Sequence, residues 1–329
     1  MKVIIFGIGK DEKAFLSDQN NLTHALRFEK QQLNESTSFL VKGFDAVVVS
    51  HVDKVSHEVL KILSTLGIKF LASRSKGIDN IDMDAARKSG IKIANVPNYS
   101  SYSIAEHAIM LLLVVMRKFK QGQSLIKQGD FRLNGLLGFD LHAKPIGIIG
   151  FGKIGQALSE ILTGFGCKIS VYDPYFNENT NFPNIQFVDF DSIIKNKRVV
   201  FLSCPLTKQT RHLIGEKEFE KMDKNSILIN TARGAVLDTK ALLNALESNE
   251  IAGAGLDVIE NEKEIFSRGD IPNTITDEIF IALNKLSNVV ITAHQAFFTE
   301  EALQDRARIT INNINEWETN GSCKNEILN

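Results

Sequence analysis

Three polar residue types that could act together in catalysis follow apolar stretches in the second half of the chain. Arg233 lies in Asn-Thr-Ala-Arg-Gly at residues 230–234, directly after an apolar stretch. Asp257 begins the acidic part of residues 255–262, and His294 follows a third apolar stretch. If these stretches are strands of one parallel sheet, the residues after them meet at its carboxyl edge, where such sheets bind ligands.

The chemistry that suits this set is reduction of a keto group beside a carboxylate. A planar guanidinium can hold a carboxylate by paired hydrogen bonds. Hydride attack on a carbonyl carbon builds negative charge on its oxygen, which a histidine can protonate near neutral pH. A carboxylate beside the imidazole orients it and favours its charged form. The candidates for that carboxylate are Glu260, Glu262 and Glu264, and their spacing does not choose among them.

Each of these residues taken alone has a more ordinary interpretation. An arginine after a strand is commonly half of a surface ion pair, a single histidine is commonly structural, and several glutamates are typical of a solvated loop. His107, beside Glu106 at the start of an apolar helix, is expected to be structural. The functional interpretation of Arg233 and His294 therefore depends on their joint position in a sheet that also carries a nucleotide-binding motif.

That motif is GIIGFGKIG at residues 147–155, which contains G-x-G-x-x-G at Gly150, Gly152 and Gly155. An apolar stretch precedes it and an amphipathic helical pattern follows, as a dinucleotide-binding βαβ unit requires. The glycines allow a tight turn, close approach to a pyrophosphate, and close helix–strand packing. Asp173 ends the next strand, where a carboxylate binds the adenosine ribose and repels a 2′-phosphate. The motif therefore predicts NAD rather than NADP, against the alternative of a glycine-rich turn that binds nothing.

The elements that must position these residues form two series. In the first, strands are predicted at residues 2–7, 46–50, 69–72 and 91–96, and helices at 57–65 and 82–89. Val96-Pro97 ends this series, and a long helix to about Lys120 follows, capped by Ser101 or Ser103.

The second series has strands at residues 146–149, 168–172, 185–188, 199–203, 226–230, 254–258 and 289–292. Its helices are predicted at residues 156–164, 216–221, 239–248 (capped by Asp238) and 300–319. Alternation of this kind predicts an α/β chain with two parallel sheets, each covered by helices on both faces.

Composition and charge exclude several other classes of protein. The 329 residues carry a net charge of −1 and no long basic block, which argues against nucleic-acid and membrane-surface partners. The longest apolar run, residues 108–116, is shorter than the roughly 20 residues of a membrane span. The three cysteines are too far apart for a metal motif, so no metal is expected, and they fit the reducing cytoplasm.

Taken together, these segments resemble the D-2-hydroxyacid dehydrogenase family, and within it most closely the fermentative D-lactate dehydrogenases. The resemblance covers nearly the whole chain and is carried by residues 73–82, 96–100, 105–108, 150–155, 203–207, 230–234, 255–262 and 294–298. It implies two doubly wound domains: a flavodoxin-like substrate domain, residues 1–99 and 296–329, and an inserted Rossmann NAD-binding domain, residues 100–295. The inserted domain would include a dimerisation helix and build a homodimer or homotetramer.

The resemblance also implies roles for individual residues. His294 would be the acid/base, Glu262 its partner, and Arg233 the residue that binds and polarises the substrate. Glu262 is selected by its place five residues after Asp257. Backbone N–H groups of Lys76 and Gly77 would meet the substrate carboxylate, and Tyr99 would line the pocket. Cofactor contacts would come from Gly150, Gly152, Lys153, Ile154, Gly155, Asp173, Cys204, Pro205, Thr231, Ala232 and Asp257.

The implied function is NADH-dependent reduction of pyruvate to D-lactate during fermentation. Two departures from the family pattern bear on the substrate. Ile259 stands where a tyrosine is usual, and Ser101-Tyr102 replaces a pair that commonly contains proline. A bulkier 2-keto acid, such as 2-ketoisocaproate or phenylpyruvate, is therefore the main alternative substrate. An NAD-sensing binding protein is the alternative from another class.

Overall fold

A computed structural model describes residues 1–21, 23–99, 101–176, 182, 184–266 and 275–327. The chain forms two compact units. The first consists of Met1–Ser100 and a returning segment that starts at Phe298, and the second of Ser101–Phe266 and a segment that ends at Phe297. Among the helices in these described ranges, none is both long enough and apolar enough to cross a bilayer.

The first unit is built on a five-stranded parallel sheet in the order β2-β1-β3-β4-β5. Its strands are β1 (Lys2–Ile5), β2 (Ala25–Phe28), β3 (Ala46–Val49), β4 (Phe70–Ser73) and β5 (Lys92–Ala94). Its first three helices are α1 (Lys10–Asn20), α2 (His57–Thr65) and α3 (Met83–Ser89). The central strand β3 reads Ala-Val-Val-Val and is buried along its whole length, as a strand covered on both faces should be.

The second unit is built on a seven-stranded parallel sheet in the order β12-β11-β10-β9-β6-β7-β8. Its strands are β6 (Pro145–Ile149), β7 (Lys168–Tyr172), β8 (Ile185–Phe187), β9 (Val199–Leu202), β10 (Ile227–Asn230), β11 (Gly253–Leu256) and β12 (Val289–Ile291). Its helices are α4 (Ser101–Met116), α5 (Phe119–Lys127), α6 (Lys153–Gly164), α7 (Phe190–Ile194), α8 (Glu216–Phe219), α9 (Thr239–Glu247), α10 (Glu262–Ile265) and α11 (Glu278–Lys285). The strand order reverses direction between β6 and β9, the place where such sheets bind dinucleotides.

The last helix, α12 (Glu300–Asn320), follows β12 in the chain but packs in the first unit. Its apolar side chains, including Ile311 and Ile314, join the core on one face of the first sheet. Trp317 of this helix stacks on Phe70 of β4, with ring centroids 5.0 Å apart. Helices α2 and α3 cover the opposite face. The first sheet is therefore completed by residues from both ends of the chain.

The prediction of two doubly wound parallel-sheet domains is confirmed. The first sheet has the flavodoxin-like order 2-1-3-4-5, and the second follows the Rossmann order 3-2-1-4-5-6 with one further strand. The predicted cap of α9 is also present, because the Asp238 side chain accepts a hydrogen bond from the Ala241 N–H.

The long helix predicted to reach about Lys120 is wrong in its end and in its cap. Helix α4 ends at Met116, and Lys118 adopts a φ of 54°, a left-handed conformation that a right-handed helix cannot contain. Helix α5 then begins at Phe119. Ser101 and Ser103 lie inside α4 and so do not cap it. Since the break contains neither glycine nor proline, the sequence pattern gives no sign of it.

Two elements of the first unit, α1 and β2, were not predicted. Strand β2 lies at the edge of its sheet, and its residues alternate between exposed and half-buried. It reads Ala-Leu-Arg-Phe and contains no β-branched residue. A strand with one neighbour and no buried residue lacks the continuous apolar run that marked the other strands.

Candidate active site

The glycine turn after β6 is closely packed on one side and open on the other. Gly150 has a φ of 97°, and a Cβ there would lie 2.7 Å from the Cys204 nitrogen. A Cβ on Gly155 would lie 2.2 Å from the Gly150 oxygen, so any larger residue would push α6 off the turn. At Gly152, the N-cap of α6, an added Cβ would meet nothing within 4 Å. The turn therefore leaves room for a phosphate against the first N–H groups of α6, those of Lys153, Ile154 and Gly155.

The Asp173 side chain is hydrogen-bonded to the backbone of this nucleotide-binding turn. Its Oδ2 accepts a hydrogen bond of 2.7 Å from the Phe151 N–H, inside the glycine motif, and its Oδ1 accepts one of 3.0 Å from the Tyr175 N–H. The carboxylate is thereby fixed beside the turn at the end of β7. This is the position from which an acidic residue binds the ribose of a dinucleotide, so the turn and Asp173 together fit the adenosine half of NAD.

His294 and Glu262 form a directly hydrogen-bonded pair. His294 Nδ1 lies 2.7 Å from Glu262 Oε1, and the two side chains are 16% and 19% exposed. The other oxygen, Glu262 Oε2, is buried and has no hydrogen-bond partner among the described residues. The carboxylate is therefore directed at the imidazole. Glu262 engages Nδ1, so Nε2 is the ring nitrogen on the side away from Glu262.

The loop that carries His294 is held from below by Asp257, at the end of β11. Asp257 Oδ1 accepts hydrogen bonds from the Thr292 hydroxyl at 2.6 Å and the Gln295 N–H at 2.9 Å. Its Oδ2 accepts one from the Ala296 N–H at 3.0 Å, and its main-chain oxygen accepts one from the His294 N–H at 2.8 Å. These bonds fix the backbone on both sides of the histidine.

The Asp257 carboxylate is 1% exposed and ionised. Burial raises its pKa, but the hydrogen bonds from His107, Thr292 and the two backbone amides outweigh burial and lower the pKa to about 2. His107 reaches it from α4, with Nε2 3.3 Å from Asp257 Oδ1 and 2.9 Å from the Thr292 hydroxyl. The interpretation of His107 as structural fits this place beneath the histidine loop.

Arg233 lies in the loop after β10, at the same edge of the sheet. Strands β10, β11 and β12 are parallel neighbours, so the loops after them lie side by side. The Asn230 side chain braces the Arg233 loop by accepting from the Ala232 N–H at 3.0 Å and donating to the Arg233 oxygen at 3.1 Å. The Arg233 guanidinium donates to the Ala232 oxygen at 2.8 Å. The structure therefore brings the arginine loop, the acid and the histidine to one edge, as predicted from the strand ends.

Apart from Arg233, the residues that the family resemblance assigns to substrate binding lie in the first unit, where Asn95 and α12 contact their segments. Lys76 and the glycine after it follow β4, and the Asn95 side chain donates to the Lys76 oxygen at 2.7 Å. Arg306 of α12 donates through Nε to the Arg74 oxygen at 2.7 Å, and its guanidinium lies 5.5 Å from the centre of the Tyr99 ring. Substrate contacts of Lys76, Gly77 and Tyr99 stay predictions.

The remaining predicted cofactor residues follow β9, β10 and β11. Cys204 lies against Gly150 and is 8% exposed. Burial raises the pKa of its thiol to about 11, so it is a neutral lining group. Cofactor contacts of Cys204, Pro205, Thr231, Ala232 and Asp257 stay predictions. The Asp257 carboxylate already accepts the hydrogen bonds described above.

The structure shows different hydrogen-bond partners for two of the three candidate glutamates. Glu262 contacts His294, whereas Glu260 Oε1 lies 2.7 Å from His212 Nε2. The side chain of Glu264 lies outside the described residues. Sequence reasoning did not anticipate the Glu260–His212 pair or the support from His107 and Thr292. The one available signal was the placement of Thr292 and Asp257 at the ends of what prove to be adjacent strands.

Comparison with known proteins is consistent with this geometry. D-lactate dehydrogenase of Escherichia coli is 35% identical over 329 residues, which covers 100% of both chains. A solved apo structure of that enzyme has a TM-score of 0.89 at 34% identity, again over 100% of both chains. An aromatic 2-oxoacid reductase of Clostridium sporogenes is 35% identical over 328 residues, 99% of each chain.

A third similarity concerns the cofactor. The NAD-complexed structure of a D-isomer specific 2-hydroxyacid dehydrogenase from Lactobacillus delbrueckii ssp. bulgaricus has a TM-score of 0.83 at 30% identity, over 100% of both chains. Residues 109–296 match the family model for the D-isomer specific 2-hydroxyacid dehydrogenase NAD binding domain. The chain therefore belongs to the D-isomer specific 2-hydroxyacid dehydrogenase family, and its second unit contains that family's NAD-binding domain.

Proposed function

We propose that the protein is an NADH-dependent D-lactate dehydrogenase, which reduces pyruvate to D-lactate and regenerates NAD during fermentation. The observation that carries this proposal is the 2.7 Å contact between His294 Nδ1 and Glu262 Oε1, on a loop clamped by Asp257. Arg233 follows the neighbouring strand of the same sheet. An imidazole and a guanidinium after strands of one sheet suit a substrate with adjacent carbonyl and carboxylate groups.

In this proposal Arg233 binds the substrate carboxylate and polarises the carbonyl group. Its planar guanidinium can offer two parallel N–H donors, which matches the geometry of a 2-keto acid better than a lysine could. The N–H groups of Lys76 and Gly77 and the ring of Tyr99 are further proposed substrate contacts. Holding the carbonyl carbon in one orientation is a large part of catalysis in a two-reactant step.

The proton comes from His294. NADH, held by the glycine turn and Asp173, would supply a hydride, and reduction of the carbonyl group would place negative charge on its oxygen. His294 holds Nδ1 against Glu262, so the proton is delivered from Nε2 to that oxygen. Glu262 fixes the ring orientation and stabilises the charged imidazole before the transfer. In the reverse direction the same nitrogen accepts the proton of the hydroxyl group.

A bulkier 2-keto acid is the second candidate substrate. The aromatic 2-oxoacid reductase of Clostridium sporogenes and the Escherichia coli D-lactate dehydrogenase are each 35% identical to this chain, so overall identity does not rank the two substrates. The unusual Ile259 does not favour the bulkier substrate, because its side chain is 3% exposed and belongs to the core of the second unit. Tyr102 belongs to the second departure from the family pattern. Its hydroxyl donates a hydrogen bond to Glu160 of α6 at 2.6 Å, so this departure does not favour the bulkier substrate either.

A substrate panel tests the proposal. The consumption of NADH is followed with pyruvate, 2-ketoisocaproate and phenylpyruvate, and kcat/KM is compared among them. We expect the highest value with pyruvate and D-lactate as the product. A higher kcat/KM with either bulky acid would overturn the lactate assignment while keeping the reaction type. Tight NADH binding without turnover of any of the three would favour the NAD-sensing alternative.

We further propose a cytoplasmic homodimer or homotetramer. Apolar side chains are exposed on and after α4 and α5, including Phe119 at 56%, Phe131 at 79%, Leu133 at 80% and Leu137 at 90%. Several large apolar side chains exposed within one segment favour a protein interface there. The three cysteines are free thiols, which suits a reducing compartment. Sedimentation velocity would show a monomer if the assembly proposal is wrong.

A further inference from the structure

Glu260, which lies two residues before Glu262, belongs to a second histidine–carboxylate pair. His212 Nε2 is 2.7 Å from Glu260 Oε1, and Glu260 Oε2 accepts a hydrogen bond of 3.1 Å from the Thr239 N–H. Both oxygens of one carboxylate are therefore used. Glu260 is 21% and His212 39% exposed, so water screens the pair only in part. The role we propose for Glu262 leaves this neighbouring pair without a function.

The pair joins three loops that leave neighbouring strands of the second sheet. His212 belongs to the segment after β9, Thr239 ends the segment after β10, and Glu260 belongs to the segment after β11. Strands β9, β10 and β11 are parallel neighbours. Arg233 lies in the second of these segments and Glu262 at the end of the third. One carboxylate therefore connects the loop of the substrate arginine to the loop of the acid that orients His294.

The backbone of these loops is in close contact at the same place. A Cβ on Gly234 would lie 2.0 Å from the Ile259 oxygen and 2.6 Å from the Glu260 nitrogen. Gly234 directly follows Arg233, so the arginine loop is pressed against the peptide that precedes Glu260. The His212 N–H also donates to the Ala235 oxygen at 2.8 Å. A movement of Glu260 would therefore be transmitted to the backbone beside Arg233.

The chain turns sharply between the two glutamates. Asn261 has a φ of 57°, in the left-handed region, and it is the N-cap of α10. Because of this turn Glu260 points to His212 whereas Glu262 points to His294. Because Glu260 is anchored, the turn at Asn261 fixes the backbone from which the Glu262 side chain extends.

We propose that Glu260 and His212 are positioning residues, which hold Arg233 and Glu262 in the relative placement that reduction of a 2-keto acid requires. Neither residue touches substrate or cofactor in this role. The inference rests on the proposed function for the tasks of Arg233 and Glu262. Displacements of about 1 Å at such groups can cost on the order of 10²-fold in rate, so a supporting pair of this kind has a measurable effect.

The test compares Glu260→Ala and His212→Ala with the wild-type enzyme, using pyruvate as substrate. We expect each variant to lower kcat/KM by about 10-fold or more, with KM raised through Arg233 and kcat lowered through Glu262. The dissociation constant of NADH should change less than kcat/KM does, because the glycine turn and Asp173 follow other strands, β6 and β7. His212→Gln, which keeps a donor for Glu260, should recover most of the lost activity.

The matched control is Glu218→Ala. Glu218 is also a half-buried glutamate of the second unit that accepts a backbone N–H, from Gly215 at 3.2 Å. Among the described residues, its side chain makes no hydrogen bond or ion pair with the loops that carry Arg233, Glu262 and His294. It should leave kcat/KM for pyruvate unchanged. If Glu260→Ala fails to fold, the more exposed His212 carries the comparison. Equal activity of His212→Ala and Glu218→Ala would overturn the inference.

A double-mutant cycle separates positioning from a general loss of stability. Glu260→Ala should cost a smaller factor in kcat in the Glu262→Gln background than in the wild-type background, because its main target has already been removed. Equal factors in the two backgrounds would contradict the proposed role. A wild-type enzyme that reduces none of the keto acids would overturn the proposed function and this inference with it, whereas an active enzyme with unaffected variants would overturn the inference alone.

Discussion

Replacement of Asp257 by asparagine should weaken the second unit in a way that depends on pH. The substitution keeps the size of the side chain and one oxygen that can accept from Thr292 and Gln295. It places an amide NH₂ where Oδ2 now accepts from the Ala296 N–H, so two donors face each other. It also removes the charge that His107 contacts at 3.3 Å.

The magnitude follows from the pKa of Asp257, which the fold lowers from 3.8 to about 2. At neutral pH the ionised form is thereby stabilised by about 2 kcal/mol. Because the pKa is lower in the folded than in the unfolded chain, this contribution is present above about pH 4 and is lost as the pH falls towards 2. At pH 3 about 1 kcal/mol of it remains. The unsatisfied Ala296 N–H adds roughly 1–3 kcal/mol to the loss at every pH.

We therefore expect Asp257→Asn to lower the free energy of unfolding by about 3–5 kcal/mol at pH 7, and by about 1 kcal/mol less at pH 3. Urea unfolding followed by circular dichroism measures both values. Asp191→Asn is the control, since Asp191 makes only exposed ion pairs, with Lys195 and Lys221. A difference below about 1 kcal/mol at pH 7, or one that does not narrow at pH 3, would refute the reasoning.

Three further substitutions test the assignments in the site. His294→Gln should lower kcat for pyruvate reduction by about 10²-fold or more while NADH fluorescence titration gives an unchanged dissociation constant, and a near-normal rate would reject the histidine as the acid. Glu262→Gln should move the high-pH fall of the reduction rate to lower pH, because a negative charge 2.7 Å from the imidazole is lost; an unchanged profile would exclude this glutamate. Asp173→Ala should raise the ratio of kcat/KM with NADPH to that with NADH, since a charge that repels the 2′-phosphate is removed, and a constant ratio would contradict the role given to Asp173.

Much of the fold could be predicted because its signals are local. The β7 segment 168–172 is bounded as predicted, and the helix 57–65 likewise coincides with α2, since both are short periodic runs between turn residues. The break at Lys118 could not be predicted in this way. The left-handed backbone conformation of Lys118 is set by the packing of the elements on either side of it. The residue type does not indicate that conformation.

The site was predictable to a similar depth. Positions after strands pointed to Arg233, Asp257 and His294, because the carboxyl ends of parallel strands share an edge. The partner of His294 could not be chosen from spacing alone, since the glutamates at 260 and 262 are both close in sequence and are separated only by the turn at Asn261. The burial of Asp257 was invisible for a related reason: an acidic residue next to other acids is typical of solvated loops, and only the folded loop supplies its four donors.

The backbone at His294 has a consequence for how this sequence can change. Its φ of 49° lies in the left-handed region, which glycine adopts with less strain than histidine. Selection for stability alone would therefore replace the histidine, and selection for catalysis alone retains it. His294→Gly should keep or raise the melting temperature while abolishing reduction of pyruvate, and a clear loss of melting temperature would show that the ring's contacts outweigh the strain. At position 294, backbone stability therefore favours glycine, whereas catalysis requires histidine.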